Sequence, residues 1–204
     1  MKKGKACAHK TGNRKGDLYY TPKSLVWTAD HIIKREFTGD ILEPCAGIDH
    51  FPIWEALTYD IGIDTYANDL FDKDTGENYL EENQLFYTFD EIITNPPFSL
   101  WDDFILKAKS HCKKFMFIGR TNYFGTQSRL EKEIWKNLKG FYPFSRYVDY
   151  QGPYREDGLF HVGYLATAWF LWDMEYSGDL DFEILDVSKW AKLGPFKKKA
   201  RIKK

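Results

Sequence analysis

Two kinds of hydrophobic pattern alternate along this chain. Short runs that are apolar almost throughout suit strands buried on both faces, while an apolar residue every three or four positions suits a helix with one buried side. Residues 23–37 have helical spacing, with Thr21 able to cap the helix, Pro22 suited to its first position and Gly39 closing it. Residues 40–45 (DILEPC) predict a short buried strand that runs into the small-residue turn Ala46-Gly47. In 49–59, Phe51, Ile53, Trp54 and Leu57 recur at helical spacing, and a second strand follows, ending near Asp69. A polar stretch with turn chemistry at Asp74-Thr75-Gly76 leads to 91–94, a β-rich run that stops at Asn95-Pro96-Pro97, where two prolines cannot continue a ladder. Residues 100–111 then predict a helix, 114–119 (KFMFIG) an apolar strand, and 127–138 a charged amphipathic helix. Segments 145–150 and 162–174 carry aromatic and β-branched residues suited to two more strands, read as the antiparallel pair at the end of a mixed sheet. The alternation predicts an α/β fold with a doubly wound, mostly parallel sheet and helices on both faces, in which ligands bind beyond the carboxyl ends of the strands.

At 204 residues the chain suffices for one well-buried domain, expected at 17–190 between a basic flexible leader, 1–16, and a basic C-terminal tail, 191–204. The formal net charge of −1 does not mark the average surface as nucleic-acid binding, but Lys and Arg crowd both ends while the middle is acidic. Those ends are either simply solvated or grip phosphates. The three cysteines, Cys7, Cys45 and Cys112, are odd in number and widely spaced, which fits a reducing compartment and gives no disulfide framework. Cys7 and His9 lack a second ligand pair at finger-like spacing, so no metal is expected. No apolar stretch approaches the roughly 20 residues that cross a bilayer, and a cytoplasmic protein with no membrane partner is expected.

Three constellations carry chemistry, each just after an expected strand. Glu43-Pro44-Cys45-Ala46-Gly47 lets the backbone turn tightly and approach a ligand ahead of a helix, although it is equally a plain strand-to-helix turn. It lacks the glycine spacing of a dinucleotide fingerprint, which argues against hydride transfer. The acidic end of the next strand offers Asp69, and after it Asp64, as an acceptor for ribose hydroxyls, where α/β nucleoside-binding proteins place one; such residues also simply end strands. The sharpest signal is Asn95-Pro96-Pro97-Phe98. An aromatic amine such as adenine N6 is a poor nucleophile because its lone pair is delocalised into the ring. The Asn95 side-chain oxygen and the Pro96 carbonyl can each accept one N–H of that amine and stabilise the charge that develops as it attacks. The prolines hold both acceptors rigidly, and Phe98 offers a flat face for an extruded base.

With Tyr20-Thr21-Pro22 ahead of the first helix, these motifs stand in the order found in amino-methyltransferases, and the chain resembles the small adenine-N6 DNA methyltransferases of bacteria, phages and prophages over most of its length. The resemblance implies a Rossmann-like S-adenosylmethionine-dependent methyltransferase fold, a site-specific adenine-specific DNA methyltransferase, and a bacterial host cell. It implies that Tyr20, Thr21 and Pro22 hold the methionine end of S-adenosylmethionine. Glu43, Pro44, Cys45, Ala46 and Gly47 would line its pocket, Asp69 would bind its ribose, and Asn78 and Tyr79 would lie against its adenine. Two departures stand out: a small Cys45 replaces the family's aromatic, and Asp49 replaces the last glycine of the turn.

No insertion is long enough for a separate target-recognition domain, so DNA contacts are expected from loops 120–129 and 146–157 and from the tails, with low sequence specificity. In the first loop Arg120, Asn122, Tyr123 and Arg129 are the candidate nucleic-acid contacts, and core packing accounts equally well for Tyr123 and Phe124. His161 and Tyr164 either flank the target base or serve the fold. Alternatives to DNA methylation are methylation of adenine N6 in RNA, methylation of a glutamine amide in protein, and a degenerate nucleic-acid-binding module. The last is disfavoured by the intact Asn95.

Overall fold

A computed structural model of the protein describes residues 20–47, 50–70, 76–81, 86–150 and 156–192. The leader 1–16, Asp49 and most of the C-terminal tail lie outside these residues. The described strands are β1 (Ile41–Glu43), β2 (Thr65–Ala67), β3 (Glu91–Thr94), β4 (Lys114–Arg120), β5 (Leu138–Pro143), β6 (Val148–Asp149), β7 (Phe160–Val162), β8 (Thr167–Asp173), β9 (Asp181–Phe182) and β10 (Ala191–Lys192). Seven of them form one sheet in the order β2-β1-β3-β4-β8-β5-β9. The first four run parallel, β8 is antiparallel to both β4 and β5, and β9 is parallel to β5. A separate three-stranded sheet has the order β10-β7-β6.

The pleat of the main sheet sorts its apolar residues into two cores, because successive side chains of a strand point to opposite faces. Ile41, Ile93, Met116, Ile118, Trp169 and Leu171 face α1 (Lys23–Thr28), α2 (Asp30–Glu36) and α3 (Pro52–Glu55). Their strand neighbours Leu42, Ile92, Phe115, Phe117, Phe170 and Trp172 face α4 (Trp101–Lys109). Burial on both faces is why these strands read as continuous apolar runs. Gly119 in β4 serves the second core: a Cβ there would sit 2.7 Å from the Trp101 indole, whose N–H donates to the Ile118 carbonyl at 2.9 Å.

Three expected elements take a different form. The helix expected at 23–37 is two helices joined at Ala29, whose N–H closes a tight turn onto the Val26 carbonyl at 2.9 Å; the break lets Leu25, Val26, Ala29, Ile32 and Ile33 all reach the sheet. The helix expected at 49–59 starts with Pro52 at its first position and widens into a π-helical stretch, Ala56–Ile61, stopped by Gly62 in the left-handed region at φ 85°. The helix expected at 127–138 is only α5 (Gln127–Glu131). Beyond it the backbone turns through positive φ at Glu133 and Asn137, and the Lys109 ammonium caps the Glu133 and Lys136 carbonyls at 2.7 Å each. This frees Leu138 to open β5, a strand that Gly140 and Pro143 conceal in the sequence. The antiparallel partner of β8 towards that end of the main sheet is therefore β5, with β9 parallel to it at the edge, while the strand expected at 145–150 is reduced to β6 in the small sheet. β10 also continues two residues past the expected domain end at 190.

Candidate active site

The polar groups that the sequence singled out converge at the carboxyl ends of β1, β2 and β3. β1 delivers Glu43 into the interior, where its side chain is fully buried. The Thr94 hydroxyl and the Cys45 N–H (3.2 Å) donate to Glu43 Oε1, while Oε2 has no partner among the described residues. Burial is the largest influence on this carboxyl and pushes its pKa up to about 8, with the two hydrogen bonds opposing. The same burial, with Glu43 and Asp69 nearby, raises the Cys45 thiol and keeps it protonated. The turn after β1 ends at Gly47, with φ at 101° and a would-be Cβ only 2.5 Å from the His50 carbonyl, so a side chain does not fit. The Gly47 N–H donates to Asp69 Oδ2 at 3.0 Å, joining the ends of β1 and β2.

Asn68, not singled out in the sequence, is buried beside Asp69 and exchanges hydrogen bonds with the Glu77 backbone, donating at 2.9 Å and accepting at 3.3 Å. It thereby pins 76–81 to the end of β2. Within that segment the Asn78 side chain closes its own turn, accepting from the Leu80 N–H at 3.1 Å and donating to Glu81 Oε1 at 3.1 Å. Tyr79 is buried in the second core, stacked on Phe104 with centroids 5.2 Å apart.

At the end of β3, Asn95 Nδ2 donates to the Thr21 hydroxyl at 2.9 Å across 74 residues of sequence. Its Oδ1 is buried with no partner among the described residues. Thr21 is itself buried and Pro22 flanks the start of α1, so the Tyr20-Thr21-Pro22 and Asn95-Pro96-Pro97-Phe98 motifs meet here. The Tyr20 ring lies edge-on to His50, with centroids 5.7 Å apart. Phe98 is not an open stacking face: it is 9 % exposed, its edge meets Tyr150 and the Arg120 guanidinium lies over its ring at 5.3 Å. Tyr150, which the sequence did not flag, donates to or accepts from the Thr167 hydroxyl at 2.9 Å and ties the small sheet to β8 beside the site.

The loop after β4 divides into structural and available groups. The Tyr123 hydroxyl donates to the Phe98 carbonyl at 3.2 Å, and Phe124 stacks on Trp135 with centroids 4.4 Å apart. Arg129 donates to Asp102 Oδ1 at 2.6 Å and lies over the Tyr123 ring at 4.1 Å, so its charge serves the fold. Asn122 is exposed, and the Arg120 Nε is buried with no partner among the described residues. In loop 146–157, residues 151–155 lie outside the described ones. His161 stands on β7 in register with Asp149, and Tyr164 is almost fully exposed. Among the described residues no group of three possible metal ligands forms, and no helix is long and apolar enough to cross a membrane.

No protein-family model matches the chain, and no curated protein matches it in sequence. In structure it is similar to a candidate RNA methyltransferase from Pyrococcus horikoshii, with a TM-score of 0.54 and 16% identity over 80% of this chain and 90% of that one. A predicted O-methyltransferase from Agrobacterium tumefaciens aligns with a TM-score of 0.48 and 12% identity, over 86% of this chain and 92% of that one. The strand order together with the first of these likenesses defines the chain as a protein with the Rossmann-like fold of S-adenosylmethionine-dependent methyltransferases.

Proposed function

We propose that this chain is an S-adenosylmethionine-dependent methyltransferase that modifies the exocyclic N6 amino group of adenine in DNA. The Asn95 amide carries the reading. Its N–H₂ is held by Thr21, which leaves Oδ1 as a buried acceptor with no partner among the described residues. An unmade buried hydrogen bond costs about 1–3 kcal/mol, so such an atom favours a ligand that donates to it. An adenine amino group donates two N–H bonds, one to Asn95 Oδ1 and one to the Pro96 carbonyl, and this aligns its lone pair for attack.

The Glu43 carboxyl, whose Oε2 has no partner among the described residues, fits the cationic methionine end of the cofactor: burial favours its neutral form, and a cation set against it favours the carboxylate that accepts from that cation. Thr21, Glu43, Gly47 and Asp69 are the residues assigned to hold the cofactor, with Tyr20, Pro22, Pro44, Cys45 and Ala46 shaping the walls. S-Adenosylmethionine, when bound, supplies an electrophilic methyl group. Asn95 and Pro96 orient the amine, Asn122 and Arg120 meet the nucleic acid, and the buried floor of β1 and β3 excludes water.

Methyl transfer from labelled cofactor to duplex DNA, single-stranded DNA, RNA and bulk protein, followed by nucleoside analysis, tests the proposal. Label in N6-methyladenine from DNA is the expected result. Label confined to RNA or protein overturns the substrate, and no label in any of them overturns the enzymatic reading.

A further inference from the structure

Six aromatic side chains among the described residues are strongly exposed, and four of them are explained by a neighbour. Tyr59 packs on Trp54, Tyr66 on Phe89, Phe124 on Trp135 and Phe182 on Phe141. The other two, Tyr147 at 58 % exposure and Tyr164 at 97 %, make no ring contact and no side-chain hydrogen bond among the described residues. Both lie on the same rim. The Gly163 N–H donates to the Tyr147 carbonyl at 3.1 Å and the Val148 N–H to the Leu165 carbonyl at 3.0 Å, so the backbones bearing the two rings are bonded to each other. The rim is also fastened to the candidate site. The Thr121 N–H donates to the Ala166 carbonyl at 3.0 Å, Arg120 pairs in register with Thr167, and Tyr150 on the same small-sheet segment meets Phe98.

We propose that Tyr147 and Tyr164 form a stacking surface for unpaired nucleotides next to the reacting base, so that the preferred substrate is single-stranded or locally unpaired nucleic acid. This rests on the nucleic-acid reading above and adds to it a strand preference and two contact residues. An exposed tyrosine on an anchored backbone presents a flat apolar face at little cost in ordering, which is what an unstacked base requires. A paired base hides its faces in the helix and cannot use such a surface. Two cations neighbour the rim: Arg120, in register with Thr167 and with its Nε unpartnered among the described residues, and exposed Arg146, next to Tyr147 in the chain, which shares its field with Asp186. Phe98 is already covered by Arg120, so stacking falls to the rim instead.

Fluorescence anisotropy tests the surface, with the full chain and labelled 12-mers of single-stranded DNA, single-stranded RNA and duplex DNA carrying a central adenine. The wild type is expected to prefer single strands. Tyr164→Ala should weaken single-strand binding about tenfold, and the double Tyr147→Ala/Tyr164→Ala variant further. Tyr164→Phe should stay within about twofold, because the ring and not the hydroxyl makes the contact. The salt dependence of binding should be unchanged in all three, since no phosphate contact is removed. A loss confined to the DNA or the RNA probe supports the surface and identifies the strand it serves. A double alanine variant that binds single strands like the wild type overturns this inference alone; a wild type that binds none of the three probes overturns the nucleic-acid reading on which it rests.

Discussion

At the amino ends of β3 and β4, every buried carboxylate meets donors. Glu36, only 5 % exposed, receives Lys139 at 2.6 Å and Arg35 at 2.9 Å, Asp173 shares Lys139 at 3.2 Å, and Glu91 accepts the Thr38 and Gly39 N–H groups at 3.1 and 3.0 Å. At the carboxyl ends of the same sheet, Glu43 Oε2 and Asn95 Oδ1 are equally buried and have no partner among the described residues. The first arrangement satisfies itself and serves the fold. The second leaves Asn95 Oδ1 and Glu43 Oε2 for a ligand to meet, which is why the site is assigned to that end and not to the more heavily charged one.

Four experiments break or sharpen this contrast. Asn95→Ala removes the acceptor proposed to act on the developing charge, and single-turnover methyl transfer should fall about 10²–10³-fold while cofactor binding by calorimetry stays nearly intact. Retention of most of the activity would falsify the assigned role. At the paired end the effect should move from activity to stability: Glu36→Ala leaves Lys139 to Asp173 alone and takes a partner from Arg35, and urea unfolding should show a loss of about 1–3 kcal/mol with turnover per folded molecule unchanged. Thr21→Val takes away the hydroxyl that holds the Asn95 amide, so a single hydrogen bond of about 1 kcal/mol is at stake and the rate should drop about fivefold. A larger fall in cofactor affinity than in rate would instead place Thr21 chiefly on the cofactor.

The last experiment concerns pH. Glu43 holds its proton in the fold up to about pH 8 but loses it in the unfolded chain near the ordinary carboxyl value of 4.5. The protonated fold therefore has its full advantage below 4.5 and loses it progressively as pH rises through 8. Without cofactor, melting temperature should decline across that window, and Glu43→Gln, which stays neutral, should flatten the decline.

Legibility in the sequence followed the physics of each segment. Strand β4 was visible because burial on both faces leaves a long apolar run, and β1 and β3 because a short apolar pair stops at turn chemistry, Pro44 to Gly47 and Asn95-Pro96-Pro97. β5 was hidden because Leu138 extends a helical spacing begun at Leu130, and only pairing with Trp172 makes it a strand residue. Gly47, Asp69 and Asn95 were visible as polar or small residues at strand ends, where α/β sheets bind ligands. Asn68 and Tyr150 were not, since their partners at Glu77 and Thr167 are set by the path of the backbone. Arg129 and Tyr123 look alike as candidate nucleic-acid contacts beside Arg120 until Asp102 and the Phe98 carbonyl are seen to claim them.

By itself, then, the sequence determined the alternation of buried strands and one-sided helices, and the order of its three motifs, because hydrophobic period and turn chemistry are local. Whether a polar atom is satisfied depends on partners many residues away. The Thr21 bond that orients Asn95, the isolation of Glu43 Oε2 and the bare exposure of Tyr147 and Tyr164 were decided only by the tertiary structure.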